Sequence, residues 1–172
     1  MNTKTENQLY LKASDSFGLL ELARKSFREF LEGTGQEAAS SYYRARNYLR
    51  DAEADCTDAF REARRLMGPP PPYSAPEFEK WRSEYLSQFK ILADSQEFGA
   101  LKAELEGDAA IRRHLSTEDI ERLLTQHFEP QREGKRKLTN IKVRLLLARL
   151  SELLTEVQGL AKQAREKFQS GV

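Results

Sequence analysis

The stretch SSYYRARNYLRDAEADCTDAFREARRL, residues 40–66, decides the fold of this 172-residue chain. Eight of its apolar or aromatic positions recur at alternating steps of three and four residues, which is the spacing of one face of an α-helix. Four of the eight are alanine, and small side chains on a helix face let a neighbouring helix approach closely. The stretch therefore predicts a central helix that ends near Met67. The eight positions are Tyr42, Ala45, Leu49, Ala52, Cys56, Ala59, Ala63 and Leu66.

Helical spacing continues on both sides of this stretch. Upstream, apolar positions from Phe17 onward predict a helix that starts at Ser14 or Asp15, after a polar segment over residues 1–13 that we expect to be disordered. Downstream, the spacing predicts several shorter helices and a long final helix over residues 139–168. Because no segment sustains a period of two, we expect no sheet. The predicted fold class is all-α, a helical bundle of four or five main helices with one or two short helices, in a single domain over residues 1–172.

Short polar and proline-rich segments separate the predicted helices. Four consecutive prolines cannot be helical, so residues 68–76 predict an extended corner that carries the chain from one helix to the next. The sequence S116-T-E-D119 matches a capping box, in which the first and last side chains bond each other's backbone amides, and it predicts a helix start. Residues 129–138 predict a basic loop before the final helix.

The same proline segment allows an alternative interpretation. The run from Pro70 to Tyr73 reads PPxY, a sequence that the aromatic-lined grooves of WW domains accept because the ligand is already extended. On that interpretation the chain is an adaptor that presents this ligand. Burial of Tyr73 against Trp81 would argue against it.

Composition limits the class of protein. No run approaches the roughly 18 consecutive apolar residues of a membrane span, and the N-terminus lacks the profile of a signal peptide. The single cysteine, Cys56, cannot form an internal disulfide and agrees with a reducing compartment. We therefore expect a cytoplasmic protein without membrane association. Neither the two histidines nor the scattered glycines form a metal or phosphate motif, so we expect no cofactor and no metal.

Charge is unevenly distributed along the chain. Residues 130–172 contain ten Lys or Arg against four Asp or Glu, whereas residues 1–129 contain eighteen against twenty-three. A cationic loop that runs onto a helix N-terminus offers both charges and free amides to a phosphate. This pattern predicts an interface for an acidic partner, with RNA as the first candidate and a protein as the second. The predicted contact residues are Arg132, Lys135, Arg136, Lys137, Lys142 and Arg144.

One pair of residues suggests an enzyme instead. Arg122 and His127 have the R-x4-H spacing that resembles the ribonuclease motif of HEPN domains, which are also helical bundles. The resemblance implies metal-independent RNA cleavage, with His127 as the general acid or base and Arg122 holding the scissile phosphate. The residue after the arginine is Leu123, where that family usually has a polar side chain.

A second resemblance lies at the start of the final helix. The residues from Leu138 to Leu147, LTNIKVRLLL, are similar to a motif in the small helical subunit of type III CRISPR effector complexes. The resemblance implies an all-α, non-catalytic subunit that lines an RNA-guided duplex, with Lys142 and Arg144 near the backbone. In that family the motif lies near the N-terminus, whereas here it opens the last helix.

Together these features favour a non-enzymatic binding or assembly subunit over an enzyme. The basic region 132–144 would dock the acidic partner, and the leucine-rich helix over residues 139–168 is a candidate surface for homo-oligomerisation. The R-x4-H ribonuclease and the PPxY adaptor remain the alternatives.

Overall fold

A computed structural model describes residues 3–65, 75–88, 91–92, 95–129 and 138–171 of the chain. Three helices of at least 30 residues account for most of these positions. The predicted all-α class is confirmed. In chain order the elements are α1 (Thr3–Glu32), α2 (Gly35–Arg65), α3 (Ala75–Gln88), β1 (Ile91–Leu92), α4 (Ser95–Glu106), α5 (Ala109–Arg112), α6 (Thr117–His127), β2 (Phe128–Glu129) and α7 (Leu138–Gln169).

The two short strands were not predicted. β1 and β2 pair in parallel, with Ile91 opposite Phe128 and Leu92 opposite Glu129. A run of two residues is too short to show any alternation of apolar and polar side chains, so periodicity cannot detect it. Among the described residues, this pairing accounts for the β-structure, and it does not form a separate layer of the fold.

The start of the first helix was predicted wrongly. We expected residues 1–13 to be disordered, but α1 begins at Thr3 and runs unbroken to Glu32. Leu9 and Ala13 are fully buried and continue the buried stripe of Phe17 and Leu20 by steps of three or four residues. Packing of these two side chains therefore extends the helix through a segment whose polar neighbours had suggested a frayed end.

A two-residue turn joins α1 to α2 and depends on glycine at two positions. Gly33 donates its N–H to the carbonyl oxygen of Phe30 at 3.3 Å and ends the first helix. A β-carbon on Gly33 would lie 2.7 Å from the carbonyl oxygen of Glu29, so a larger residue does not fit without movement. Gly35 has a φ of +79°, in the left-handed region that glycine adopts without strain.

The seam that predicted α2 is buried as expected. Seven of its eight positions, from Tyr42 to Ala63, are exposed by no more than 8% of their surface, and Cys56 is fully buried. The eighth, Leu66, lies outside the described residues. The structure describes α2 as far as Arg65, and the predicted boundary near Met67 lies outside the described residues. The final helix, α7, agrees with its predicted bounds to within one residue at each end.

The described residues fall into two compact units. Unit 1 comprises those in 1–11 and 59–149, and unit 2 those in 12–58 and 150–172, so each division lies inside one of the three long helices. The prediction of a single domain over 1–172 stays a prediction. The predicted proline corner and basic loop fall mainly on residues 66–74 and 130–137, which lie outside the described residues.

Within unit 1, the short helices surround an aliphatic core. α4 contacts both α5 and α6, and the fully buried side chains include Leu105, Ile111 and Ile120. Phe60 of α2 meets Phe78 of α3 edge to face, with ring centroids 6.3 Å apart. The aromatic side chain of Phe78 is therefore used for packing within unit 1.

Within unit 2, parts of α1, α2 and α7 pack on one another. Phe27 and Phe30 of α1 both contact the ring of Tyr42 on α2, and Phe168 of α7 stacks on the same tyrosine. Lys167 donates to the carbonyl oxygens of Phe30 and Gly33 at 2.6 and 2.8 Å, which satisfies the C-terminal end of α1.

Candidate functional site

The structure describes only part of the predicted basic interface. Arg132, Lys135, Arg136 and Lys137 lie outside the described residues. Lys142 and Arg144 stand in the first turns of α7, and both are half-buried. Contact of any of the six with an acidic partner therefore stays a prediction.

Lys142 already has an acidic partner inside unit 1. Its ammonium forms an ion pair with the carboxylate of Asp108. Asp108 also caps α5, because it accepts from the backbone N–H groups of Ala110 and Ile111 at 3.0 and 3.1 Å. Partial burial works to raise the pKa of Asp108, but the hydrogen bonds from Lys142 and from these amides outweigh it and lower that pKa. A phosphate bound by Lys142 would compete with this pair.

The capping box at the start of α6 is confirmed. The amide of Ser116 donates to a carboxylate oxygen of Asp119, and the amide of Asp119 donates to the hydroxyl of Ser116, both at 3.0 Å. The same carboxylate meets Arg122 at 3.0 Å and Arg149 at 3.7 Å. Burial works to raise the pKa of Asp119, while the Ser116 amide and the two arginines lower it, with a net lowering. This cluster is held together by its own charges.

The two residues of the R-x4-H motif are not brought together by any described contact. Arg122 and His127 are five residues apart on α6, which puts their backbone positions about 140° apart around the helix axis. The guanidinium of Arg122 donates to Asp119, and the side chain of His127 is outside the described part. The ribonuclease alternative stays a prediction. The PPxY residues from Pro70 to Tyr73 also lie outside the described residues, so the adaptor alternative stays a prediction too.

A groove in unit 2, which the sequence did not single out, gathers basic and aromatic side chains. It runs between α2 and α7, and its volume is about 880 Å³. Positions four residues apart on α2 and three apart on α7 turn toward it, because such positions share one helix face. Its principal side chains are Tyr43, Arg46 and Arg50 on α2 and Lys162, Arg165 and Phe168 on α7.

The groove carries a positive charge. Four cationic side chains line it against one carboxylate, that of Glu53. Arg50 forms an ion pair with Asp51 at 3.5 Å, but both side chains are more than half exposed. The guanidinium of Arg46 lies 5.6 Å from the centroid of the Tyr42 ring, within cation–π distance. A groove of this composition favours an anionic ligand.

The aromatic part of the groove is rigidly packed at its base and exposed at its edge. Tyr42 is 4% exposed and stacks on Phe168, with centroids 4.4 Å apart and an interplanar angle of 15°. Tyr43 meets these two rings edge to face, at 5.8 and 5.6 Å, and is 52% exposed. It is one of three large apolar or aromatic side chains that are exposed in the described part of the chain. The other two, Leu11 and Leu22, lie on α1.

An acidic cluster lies on another face of α2. Asp51, Asp55 and Asp58 recur at steps of four and three residues, which puts them on one side of the helix. Burial raises the pKa of Asp55 first, and the nearby charges of Asp58, Asp15 and Asp51 raise it further against the opposing effect of Lys12. Unit 2 therefore separates a basic groove from an acidic face.

Because basic and acidic side chains lie on different faces of the same helix, the charge pattern of the sequence did not predict the groove. Arg46 and Arg50 belong to the first 129 residues, whose summed charge is negative. Their grouping with Lys162 and Arg165 depends on which faces of α2 and α7 meet. The only sequence signal was the spacing of basic residues beside the alanine-rich seam.

No metal centre and no membrane span emerges from the described part of the chain. No group of three or more His, Cys, Asp or Glu side chains in that part could hold a metal ion. Among the same residues, no helix has both the length and the apolar character needed to cross a bilayer.

Comparison with protein-family models, curated proteins and solved structures finds no match to this chain. Function is therefore inferred from the geometry and charge of the groove itself.

Proposed function

We propose that this chain is a non-enzymatic helical binding or assembly subunit that docks an acidic partner, RNA or protein, through basic side chains. The observation that carries the proposal is the groove of unit 2, where four cations line an open surface against one carboxylate. The basic region 132–144, predicted from the sequence, would be a second contact for the same partner.

Comparison of the basic side chains supports the groove as the principal surface. Lys142 is engaged by Asp108, and release of this pair would also weaken the cap of α5. Lys162 and Arg165 form no ion pair with any residue that the structure describes. A partner can therefore reach these two cations without breaking an ion pair between either of them and a described residue.

Self-association through residues 139–168 has less support. Three of the apolar positions of α7 that suggested it, Leu146, Leu150 and Leu153, are exposed by no more than 2%. Association through those side chains would compete with the chain's own packing. This interface stays a prediction.

Salt-dependent binding tests the proposal. The full chain is titrated with an RNA oligonucleotide and with polyglutamate, starting at about 50 mM salt, and the affinity is measured as salt increases. Neutralising the groove cations (Arg46→Gln, Arg50→Gln, Lys162→Gln, Arg165→Gln) should lower the slope of log K against log salt by about 3 if all four contact single-strand phosphates.

A second variant serves as the matched comparison. Neutralising Arg132, Lys135, Arg136 and Lys137 removes the same amount of charge from the basic region that the sequence predicts. A smaller slope change than in the groove variant supports the groove as the main surface. If the chain binds neither probe at low salt, the proposal is wrong.

A further inference from the structure

We infer that the groove between α2 and α7 binds single-stranded nucleic acid, with a base stacked on Tyr43 and the backbone held by Arg46, Arg50, Lys162 and Arg165. This inference rests on the proposed function and adds the class of ligand. The observations that carry it are the exposure of one ring, the packing that holds that ring and the cations that line the same groove.

Tyr43 is suited to stacking because it is both exposed and fixed. Half of its surface faces solvent, although the side chain is large and aromatic. Its edge-to-face contacts with Tyr42 and Phe168 hold the ring in one orientation. A ring that is already ordered loses little conformational freedom when a flat ligand stacks on it.

The cations line the same groove as the ring and come from both helices. Arg46 and Arg50 are one helical turn apart on α2, and Lys162 and Arg165 are about one turn apart on α7. Guanidinium groups bind phosphate oxygens with two parallel hydrogen bonds, and an ammonium adds a point charge. Binding sites for single strands combine such a positive groove with an aromatic side chain on which bases stack.

The volume of the groove agrees with this ligand. At about 880 Å³ it falls within the range of roughly 300–1,000 Å³ that is usual for ligand pockets. The amide side chains of Asn47, Gln158 and Gln169 also line it and can both donate to and accept from base edges.

Two other acidic occupants fit the groove less well. A duplex keeps its bases stacked inside the helix, so it offers only its backbone and leaves Tyr43 unused. An acidic peptide has carboxylates for the cations but need not carry a flat ring for Tyr43. A single strand is the occupant that uses both features.

Substitution of Tyr43 tests the inference in the full-length chain. Fluorescent 12-nucleotide single strands of RNA and of DNA are titrated in parallel with duplex RNA and polyglutamate. Tyr43→Ala should weaken binding of the single strands by about tenfold, because stacking of one base is lost. Its salt slope should not change, since no charge is removed. Tyr43→Phe keeps the ring and should bind like the original chain.

Two controls separate stacking from other effects. Leu22→Ala removes an exposed apolar side chain of unit 2 on α1, outside the groove, and should leave binding unchanged. A single strand that lacks its bases should bind the original chain about as weakly as an ordinary strand binds the Tyr43→Ala variant. Thermal unfolding of each variant establishes that it is folded.

The outcomes distinguish this inference from the proposed function. If all polyanions bind and Tyr43→Ala changes nothing, the groove is an electrostatic surface for an acidic partner and the inference is wrong. Preference for duplex RNA or for polyglutamate over the single strands also overturns it. If the original chain binds none of the polyanions, the proposed function is wrong as well. The RNA and DNA arms show whether the 2′-hydroxyl matters.

Discussion

Unit 1 and the groove of unit 2 use the same kinds of charged side chain in different ways. In unit 1, Lys142 pairs with Asp108, while Arg122 and Arg149 both meet Asp119. Each of these carboxylates also caps a helix, so the cations there reinforce local structure. In unit 2, Lys162 and Arg165 line an open groove and form no ion pair with a described residue.

This difference shows why a count of charges is a poor guide to an interface. The excess of ten basic over four acidic residues in 130–172 includes cations of both kinds. A cation beside a capping carboxylate stabilises the fold, whereas a cation on an open surface attracts a ligand. The contrast also occurs along α7 itself, between Lys167 and Lys162.

The largest expected change in stability comes from Lys167. Its ammonium donates to the carbonyl oxygens of Phe30, Leu31 and Gly33, at 2.6, 3.2 and 2.8 Å, and lies 4.8 Å from the centroid of the Phe30 ring. Lys167→Met keeps most of the apolar stem but leaves these carbonyls without the charged donor. We expect the free energy of unfolding, measured by urea denaturation, to fall by about 2 kcal/mol.

Lys162→Met is the matched control for Lys167→Met. It removes the same charge from an exposed position on the same helix, so the free energy of unfolding should change by less than about 0.5 kcal/mol. In salt-dependent polyanion binding the order should be reversed, so that Lys162→Met weakens binding more than Lys167→Met does. Equal losses of stability would contradict the distinction between structural and available cations.

Substitution of Asp119 should have the next largest effect on the free energy of unfolding. Asp119→Ala removes a partner of the capping box and the carboxylate that meets Arg122 and Arg149. We expect a loss of about 1–2 kcal/mol in the free energy of unfolding at neutral pH. Asp119→Asn keeps an oxygen that can accept from the Ser116 amide, so it should lose less.

The pH dependence provides the check on Asp119. Because its pKa is lowered in the folded chain, its ionised form contributes stability above the ordinary aspartate pKa of about 3.9. That contribution is lost as the pH falls through the lower folded pKa. The difference between the original chain and Asp119→Asn should therefore shrink in acid. A constant difference across this range would mean that the charge of Asp119 contributes nothing.

The helices could be predicted because their signals are local. The seam from Tyr42 to Ala63 and the capping box from Ser116 to Asp119 each lie within one segment, and both agree with the structure. The start of α1 was missed because the burial of Leu9 depends on packing that its polar neighbours do not reveal. The pairing of β1 with β2 joins residues 37 positions apart and has no local signal.

The groove and the Lys142 pair depend on which helix faces meet. Asp108 and Lys142 are far apart in sequence, so Lys142 resembled an available cation. Arg46 and Lys162 lie on α2 and α7, more than a hundred residues apart. A one-dimensional pattern identifies the buried face of each helix, but it does not specify which exposed faces lie side by side.

The smallest expected effect is a gain in stability, at Asp55. Burial and then the charges of Asp58, Asp15 and Asp51 raise its pKa, so the ionised carboxylate is disfavoured in the folded chain. The folded chain therefore gains stability as the pH falls through the raised pKa of Asp55, and it loses that gain as the pH rises again.

Asp55→Asn should raise the free energy of unfolding at pH 7 by about 0.5 kcal/mol, the size of one or two like-charge pairs on a helix. The gain should disappear near pH 3, below the ordinary aspartate pKa of about 3.9, and should diminish at high salt because the repulsion is screened. The sign is opposite to that for Asp119→Asn, so thermal unfolding of the two variants side by side separates the acidic face of unit 2 from the capping carboxylates of unit 1. A loss of stability in Asp55→Asn at neutral pH would mean that the cluster contributes to the fold through a contact other than charge.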